Sequence, residues 1–522
     1  MPSVSKSAAV VALGTFASRI LGAVRDAVIA ATFAVHATDA FFIAFTIPNS
    51  LRVLLGEGAV SAAFVPVLAE VRETRRTHYA AVFNALVGMM GIVLLATTIL
   101  GVIFAPQLVT LYAAGYLDDP PQFDLTVRLT RLVFPYVLLV GLSALATASL
   151  NTLGKFALPS FTPVWLNVAL IACAFALPSV FESWGDAPIM ALAVGVLLGG
   201  VLQVLTQLPW LVQSRLLGFP RLNWREPAVR KTLRLLVPLV AGLGVYQLNI
   251  MGSRLLASFL QEGSQSFLYY SQRLVEIPQG MIALAISSAA LPTLAAQRSR
   301  GDHAEAAHTL SQAVRMCLFL TVPAGVFLMA FAYPTVSILL GRGSFDPSHV
   351  QQTARALFWQ ATGIWAIAGI RTLVPAFHAH NDTRSPVVGS VVNLLVFIGS
   401  ALFLMQSMKH EGIALAISLA GFAQLATLMF LLRNHPMALA FRGVGSSLAK
   451  IVAASAAMSV LLVSTARSMT WTHAGQDFKA IACYLGISIA AAGIYFLVCW
   501  LLGSKELRNL GTIFRSNRNA KP

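Results

Sequence analysis

The chain is short of charge. Only 11% of its 522 residues are Asp, Glu, Lys or Arg, less than half of the roughly 25% usual in soluble domains. It lacks any stretch polar enough to make a soluble domain. Apolar residues supply 57% of the chain and mean hydropathy is +0.76, so lipid is the expected solvent. Cysteine is scarce. Cys173, Cys317, Cys483 and Cys499 lie far apart inside apolar runs, which excludes a disulfide framework or zinc spacing and leaves them as small buried hydrophobes. No GxxxxGK[ST], HExxH or GxSxG sequence occurs, so the chain carries no such ATPase or hydrolase site. No cofactor or metal is expected; energy would come from the membrane potential, a cation gradient or downhill substrate flux. No cleavable leader is expected either. Lys6 precedes an apolar run, but Arg19, Arg25 and Asp26 interrupt it and no polar domain follows, so it reads as the first membrane helix.

What is there is a series of about fourteen apolar runs, each near the ~20 residues that span a bilayer. Runs at 38–69, 80–112, 124–151, 306–340 and 350–378 are among them. The fold class is all-α and polytopic. Cations and acids then alternate from loop to loop. With the N-terminus inside, inner loops hold Arg72, Arg75, Arg76, Lys155, Arg215, Arg221, Arg225, Arg230 and Lys231, and the tail adds Lys505 and Arg508. Outer loops hold Asp118, Asp119, Asp124, Glu182, Asp186 and Glu262. This bias places both termini in the cytoplasm and makes the net charge of +16 a topology signal, removing the need for a nucleic-acid partner.

An internal repeat is visible. One shift of about 226 residues lays Pro66 on Pro292, Arg128 on Arg355, Pro159 on Pro386 and Asn167 on Asn393, and "AAFVPVLAE" falls on "SAALPTLAAQ". Each copy has six helices, an even number, so the repeats are parallel and a substrate site between the halves is expected. The expected domains are 1–225 and 226–440 for the two six-helix lobes, 441–505 for two extra helices and 506–522 for a basic tail.

Ionisable residues inside the runs are costly, about 2.5–3.5 kcal/mol each at a helix centre. The first two runs nevertheless carry Arg19, Arg25, Asp26, Asp39, Arg52 and Glu57. Later, Arg273 and Glu276 share a helix face at i, i+3. Such residues persist when they line a watery cavity and bind something, and a guanidinium fork suits phosphate oxygens. The plain alternative is internal pairing, of Arg25 or Arg19 with Asp26 or Asp39. Gly22 and Pro48 are candidate kinks beside these charges.

The blocks "SRILGAVRDAVIA", "ATDAFFIAFTIPNSLR", "GEGAVSAAFVPVLAE", "YSQRLVEIPQG" and "NDTRSP" resemble the MurJ, or MviN-like, lipid II flippases over nearly the whole chain. The resemblance implies two lobes around a cationic cavity and a polyprenyl-tail groove formed by the two extra helices. It implies that Arg19, Arg25, Arg52 and Arg273 bind the pyrophosphate and head group, and that Asp26, Asp39, Glu57 and Glu276 serve gating or coupling. It implies lipid II as substrate, a bacterial inner-membrane location, membrane lipids and cell-wall synthesis proteins as partners, and a monomer. Gln272 and Thr46 depart from the family's usual acid and lysine. The rivals are a flippase for another polyprenyl-linked oligosaccharide, and a membrane glycosyltransferase drawing a catalytic acid from Asp118, Asp119 or Asp124.

Overall fold

A computed structural model describes residues 4–54, 59–219, 222–380, 382–433, 443–472, 475 and 477–509. The described residues are helical, with no strand among them. The chain divides into two compact units, Met1–Ser266 and Phe267–Pro522.

The first unit opens with α1 (Val4–Thr32), α2 (Val35–Arg52) and α3 (Ala59–Thr74). Next come α4 (Tyr79–Ile103), α5 (Ala105–Ala113), α6 (Pro120–Val133) and α7 (Tyr136–Thr152). It closes with α8 (Ala157–Ala176), α9 (Pro178–Ser183), α10 (Met190–Leu205), α11 (Leu208–Gln213) and α12 (Pro227–Ser258). The run at 38–69 is therefore two helices. Neither Gly22 nor Pro48 ends a helix; the departure comes at Val53 and Leu54, which form a π-turn after Arg52. The run at 80–112 breaks at Phe104, ahead of Pro106, whose missing N–H suits the first turn of a new helix.

α13 (Ser264–Ser299) begins in the first unit and runs into the second. There follow α14 (His303–Ala330), α15 (Ala332–Leu340), α16 (Pro347–Ala361), α17 (Ile364–Ala379), α18 (Arg384–Met408) and α19 (His410–Leu432). Two last helices, α20 (Val444–Ser468) and α21 (Phe478–Leu501), complete it.

The repeat is legible in local structure. Phe104 separates α4 from α5, and Phe331 separates α14 from α15. Asp119 caps α6 ahead of Pro120, and Asp346 caps α16 ahead of Pro347. Arg128 pairs with Asp186 in the first unit, and Arg355 with Glu411, at 3.4 Å, in the second.

Each unit has its own packed interior. Phe64, Leu86, Met90 and Phe134 centre the first. Phe319, Phe331, Phe377 and Leu428 centre the second, which α20 and α21 join through Ile451, Met458 and Tyr495. Outward faces are apolar as well: Phe403, Ile489 and Trp500 are exposed. Eight helical stretches among the described residues are long and apolar enough to cross a membrane. Since lipid tails are as apolar as leucine, packing rather than water exclusion joins these helices. Gly14 on α1 lets the backbone of α8 approach so closely that a Cβ there would lie 2.5 Å from the Ser160 carbonyl oxygen.

Candidate functional site

The α1–α8 contact places the first charged cluster. From Gly14, the same face of α1 runs through Ser18 to Arg25, and α8 brings Asn167 against it. Asn167 Nδ2 donates to the Ser18 carbonyl at 3.1 Å. Its Oδ1 accepts from Arg25 at 3.0 Å. The same guanidinium donates twice to one Asp26 oxygen, at 2.6 and 2.9 Å. Arg25 and Asp26 are only 5% and 6% exposed. Among the described residues, Arg25 pairs with Asp26, one of the internal pairings the sequence allows. Burying two charges costs several kcal/mol per ion unless their remaining valences are satisfied, and Asn167 supplies part of that satisfaction. Arg19, less than two turns earlier, is half-buried.

Asp39 is buried too, at 3%, and is engaged by backbone rather than arginine. Its two oxygens accept the N–H groups of Gly263 and Ser266, each at 2.7 Å. Thr38 and Ser266 share a hydroxyl contact of 2.7 Å, and His36 lies 3.6 Å from Glu262. The carboxylate thus sits at the N-terminus of α13, where unpaired amides and the helix dipole favour negative charge. The chain passes from one unit to the other at the next peptide bond.

Arg52 ends α2, where the dipole favours a cation. Its Nε donates to Asn49 Oδ1 at 2.9 Å. Glu57 lies outside the described residues. Thr46 turns its hydroxyl onto the Phe42 carbonyl, 2.5 Å away, so this departure from the family pattern brings no charge into α2.

In the second unit, Arg273 reaches Glu276 at 3.1 Å and the Tyr269 hydroxyl at 3.3 Å, with its guanidinium 5.3 Å from that ring's centre. Both charged side chains are partly exposed, at 42% and 38%. Asn167, Asn49, Gly263, Ser266 and Tyr269 were not foreseen from sequence. Asn167 did carry a signal, an amide in the middle of "FTPVWLNVAL".

Residues 29–481 match the family model described as "Lipid II flippase MurJ". The chain belongs to the MurJ lipid II flippase family. A probable lipid II flippase MurJ of Vibrio cholerae is 35% identical over 510 residues, covering 95% of this chain and 96% of that protein. The lipid II flippase MurJ of Burkholderia cenocepacia is 33% identical over 500 residues, covering 94% and 96%. A solved structure of lipid II flippase MurJ in an inward closed conformation shares the fold, with a TM-score of 0.77 at 24% identity over 96% of this chain and 99% of that one. An inward-facing multidrug transporter of the MATE family shares it more distantly, with a TM-score of 0.67 at 14% identity, covering 81% and 95%. The MurJ family is one of transporters rather than catalysts, and its membership makes this chain an integral membrane protein.

Proposed function

We propose that this chain moves lipid II, the polyprenyl-pyrophosphate-linked peptidoglycan precursor, from the cytoplasmic to the periplasmic leaflet of the bacterial inner membrane by alternating access. Kinship along nearly the whole chain with proteins named as lipid II flippases supports the substrate. The observation that carries the mechanism is Arg25, a guanidinium held almost fully buried within a membrane helix by Asp26 and Asn167. Its insertion cost is worth keeping if it meets an anion.

In this reading Arg19, Arg25, Arg52 and Arg273 receive the pyrophosphate and sugars, and Asp26 and Glu276 are internal partners that the substrate displaces. Asp39, clasping the start of α13, governs opening on the periplasmic side. The polyprenyl tail stays in lipid along α20 and α21. Both termini lie in the cytoplasm. A potential negative inside is worth about 2.3 kcal/mol per charge per 100 mV; it drives an anionic head group outward and draws the emptied cationic site back. Arginines of this kind disfavour a cationic drug as cargo.

The test is rescue of a bacterium whose own lipid II flippase is shut off. Outward lipid II is followed by cleavage with a periplasmic toxin specific for the head group. Restored growth and cleavage support lipid II as the substrate. A well-inserted, well-expressed chain that restores neither, while restoring export of another polyprenyl-linked sugar in a matching depletion, shifts the substrate to that sugar.

A further inference from the structure

The segment joining α11 to α12 presents large apolar side chains away from the protein at a point where no spanning helix explains them. Phe219 is 92% exposed, and Leu217, Leu222 and Trp224 are each more than half exposed. This exposure is built rather than loose. Leu216 between them is buried in the first unit's interior, and its carbonyl accepts from Asn84 Nδ2 at 3.1 Å. Gly218 lies so close to Asn84 that a Cβ there would fall 2.8 Å from the amide nitrogen. Arg215 adopts φ 55°, a left-handed turn that an arginine rarely takes. On the far side, Arg230 Nε donates to the Trp224 carbonyl at 3.2 Å. The backbone is tied at both ends and the rings point outward.

Exposed cations occupy the same stretch of chain. Arg215, Arg225, Arg230 and Arg234 are all exposed. Two nearby acids already have cationic partners: Glu70 pairs with Lys231, and Glu226 lies 3.8 Å from Arg75. Arg230 and Arg234 sit one turn apart on α12, a like-charge pair that destabilises a helix unless an anion lies between. Exposed rings and arginines that pair with no acid among the described residues match a membrane interface, where aromatics lie at head-group depth and cations meet anionic lipid.

We propose that residues 215–219 and 222–234 form a docking surface for anionic phospholipid head groups, with Phe219 and Trp224 inserted at the interface and Arg215, Arg225, Arg230 and Arg234 on the phosphates. Naming the cytoplasmic leaflet as the source of that lipid rests on the orientation proposed above; the binding itself does not.

The test is hydrogen exchange of the 214–226 backbone in the full-length protein. It is measured in nanodiscs of phosphatidylcholine alone and of phosphatidylcholine mixed with phosphatidylglycerol. Exchange should slow about tenfold or more in the anionic discs, as expected when several cations each gain from a negative surface, and added salt should weaken the effect. Replacing the four arginines by glutamine should abolish the lipid preference, and replacing them by lysine should keep it. Phe219→Ser with Trp224→Ser should reduce protection in both lipids. Equal exchange in the two discs, or slowing that survives the four glutamines, overturns the proposal. So does slowing by undecaprenyl pyrophosphate but not by phosphatidylglycerol, which would make this a substrate surface. Cys483 is exposed, unlike the other three cysteines and contrary to its apolar setting in the sequence. Separate labelling of Phe219→Cys by an impermeant thiol reagent, in a Cys483→Ser background in intact cells and inverted vesicles, reports the leaflet, so an error in orientation is distinguishable from failure of the surface.

Discussion

Arg25 and Asn167 lie 142 residues apart in the chain and meet at 3.0 Å, in a contact that joins the most deeply buried arginine of α1 to the middle of α8. Asn167→Leu removes the amide oxygen that accepts from Arg25. Losing a buried hydrogen bond to a charged group costs about 1.5–3 kcal/mol. The purified variant should melt several degrees lower than the parent, and lipid II exposure should fall even where the protein inserts normally. A variant with an unchanged melting temperature and full exposure would mean that Asn167 does not hold Arg25.

The same helix pair sets two glycines against each other. A Cβ at Gly14 meets the backbone oxygen and carbon of Ser160 at 2.5 and 2.8 Å, atoms that cannot turn aside. At Gly22 the nearest atom is the Asn167 side chain at 3.9 Å, an ordinary contact. Gly14→Ala should force α1 from α8 and reduce the yield of folded protein. Gly22→Ala should be tolerated, with stability unchanged or raised by up to about 1 kcal/mol from helix propensity. Size-exclusion profiles and melting curves of the two variants distinguish these outcomes.

Much of this was legible in the sequence, and the limit has a physical form. Arg19, Arg25, Asp26 and Arg52 announce themselves because charge in an apolar run is expensive. The all-helical class follows from the apolar runs, though the about fourteen expected runs become twenty-one α-helices among the described residues, where eight stretches are long and apolar enough to span. The repeat follows from prolines and arginines recurring at one shift. The interruptions at Phe104 and Phe331 were hidden, since hydropathy runs unbroken through them. The partners were hidden for another reason. Asn49, Asn167 and Tyr269 cost little to insert, and what they touch depends on which helix faces meet. Asp39 illustrates the gap. Its charge drew attention, but no sequence pattern pointed to the amides of Gly263 and Ser266, 224 and 227 residues away.

That clasp gives a third expectation. Asp39→Ala removes both acceptors from the start of α13. Amide exchange at Gly263 and Ser266 should accelerate by an order of magnitude or more, given roughly 1.5–3 kcal/mol for a hydrogen bond to a charged group. Asp39→Asn, which keeps one carbonyl oxygen, should fall between. Unchanged exchange in Asp39→Ala would show that the amides are protected by something else.

Beyond α21, Glu506 ties the ends of the last two helices together. It is 4% exposed and accepts the hydroxyls of Ser447 and Ser504, both at 2.7 Å. Burial pushes its carboxyl up, but these hydroxyls, a backbone N–H and the charge of Arg315 together outweigh that effect and hold it below its ordinary value. A depressed folded-state value means that the stabilisation is fully present above the unfolded carboxyl's pKa and is lost as pH falls through the folded one. The melting temperature of the parent should therefore drop across the acid range below the ordinary carboxylate pKa. The gap between it and Glu506→Gln should close over that same window. A gap that stays constant with pH would place Glu506 outside the balance.

The most direct measurement is outward lipid II exposure in the flippase-depleted host, comparing the parent chain with Arg19→Ala, Arg25→Ala, Arg52→Ala and Arg273→Ala, each matched for membrane abundance. Arg25→Lys belongs in the same series, because a point charge cannot hold Asp26 and Asn167 with a planar fork. The expected result is toxin-cleaved lipid II for the parent and little or none for the four alanine variants, with Arg25→Lys well below the parent. Full cleavage in the alanine variants would contradict a flipping path built on these arginines.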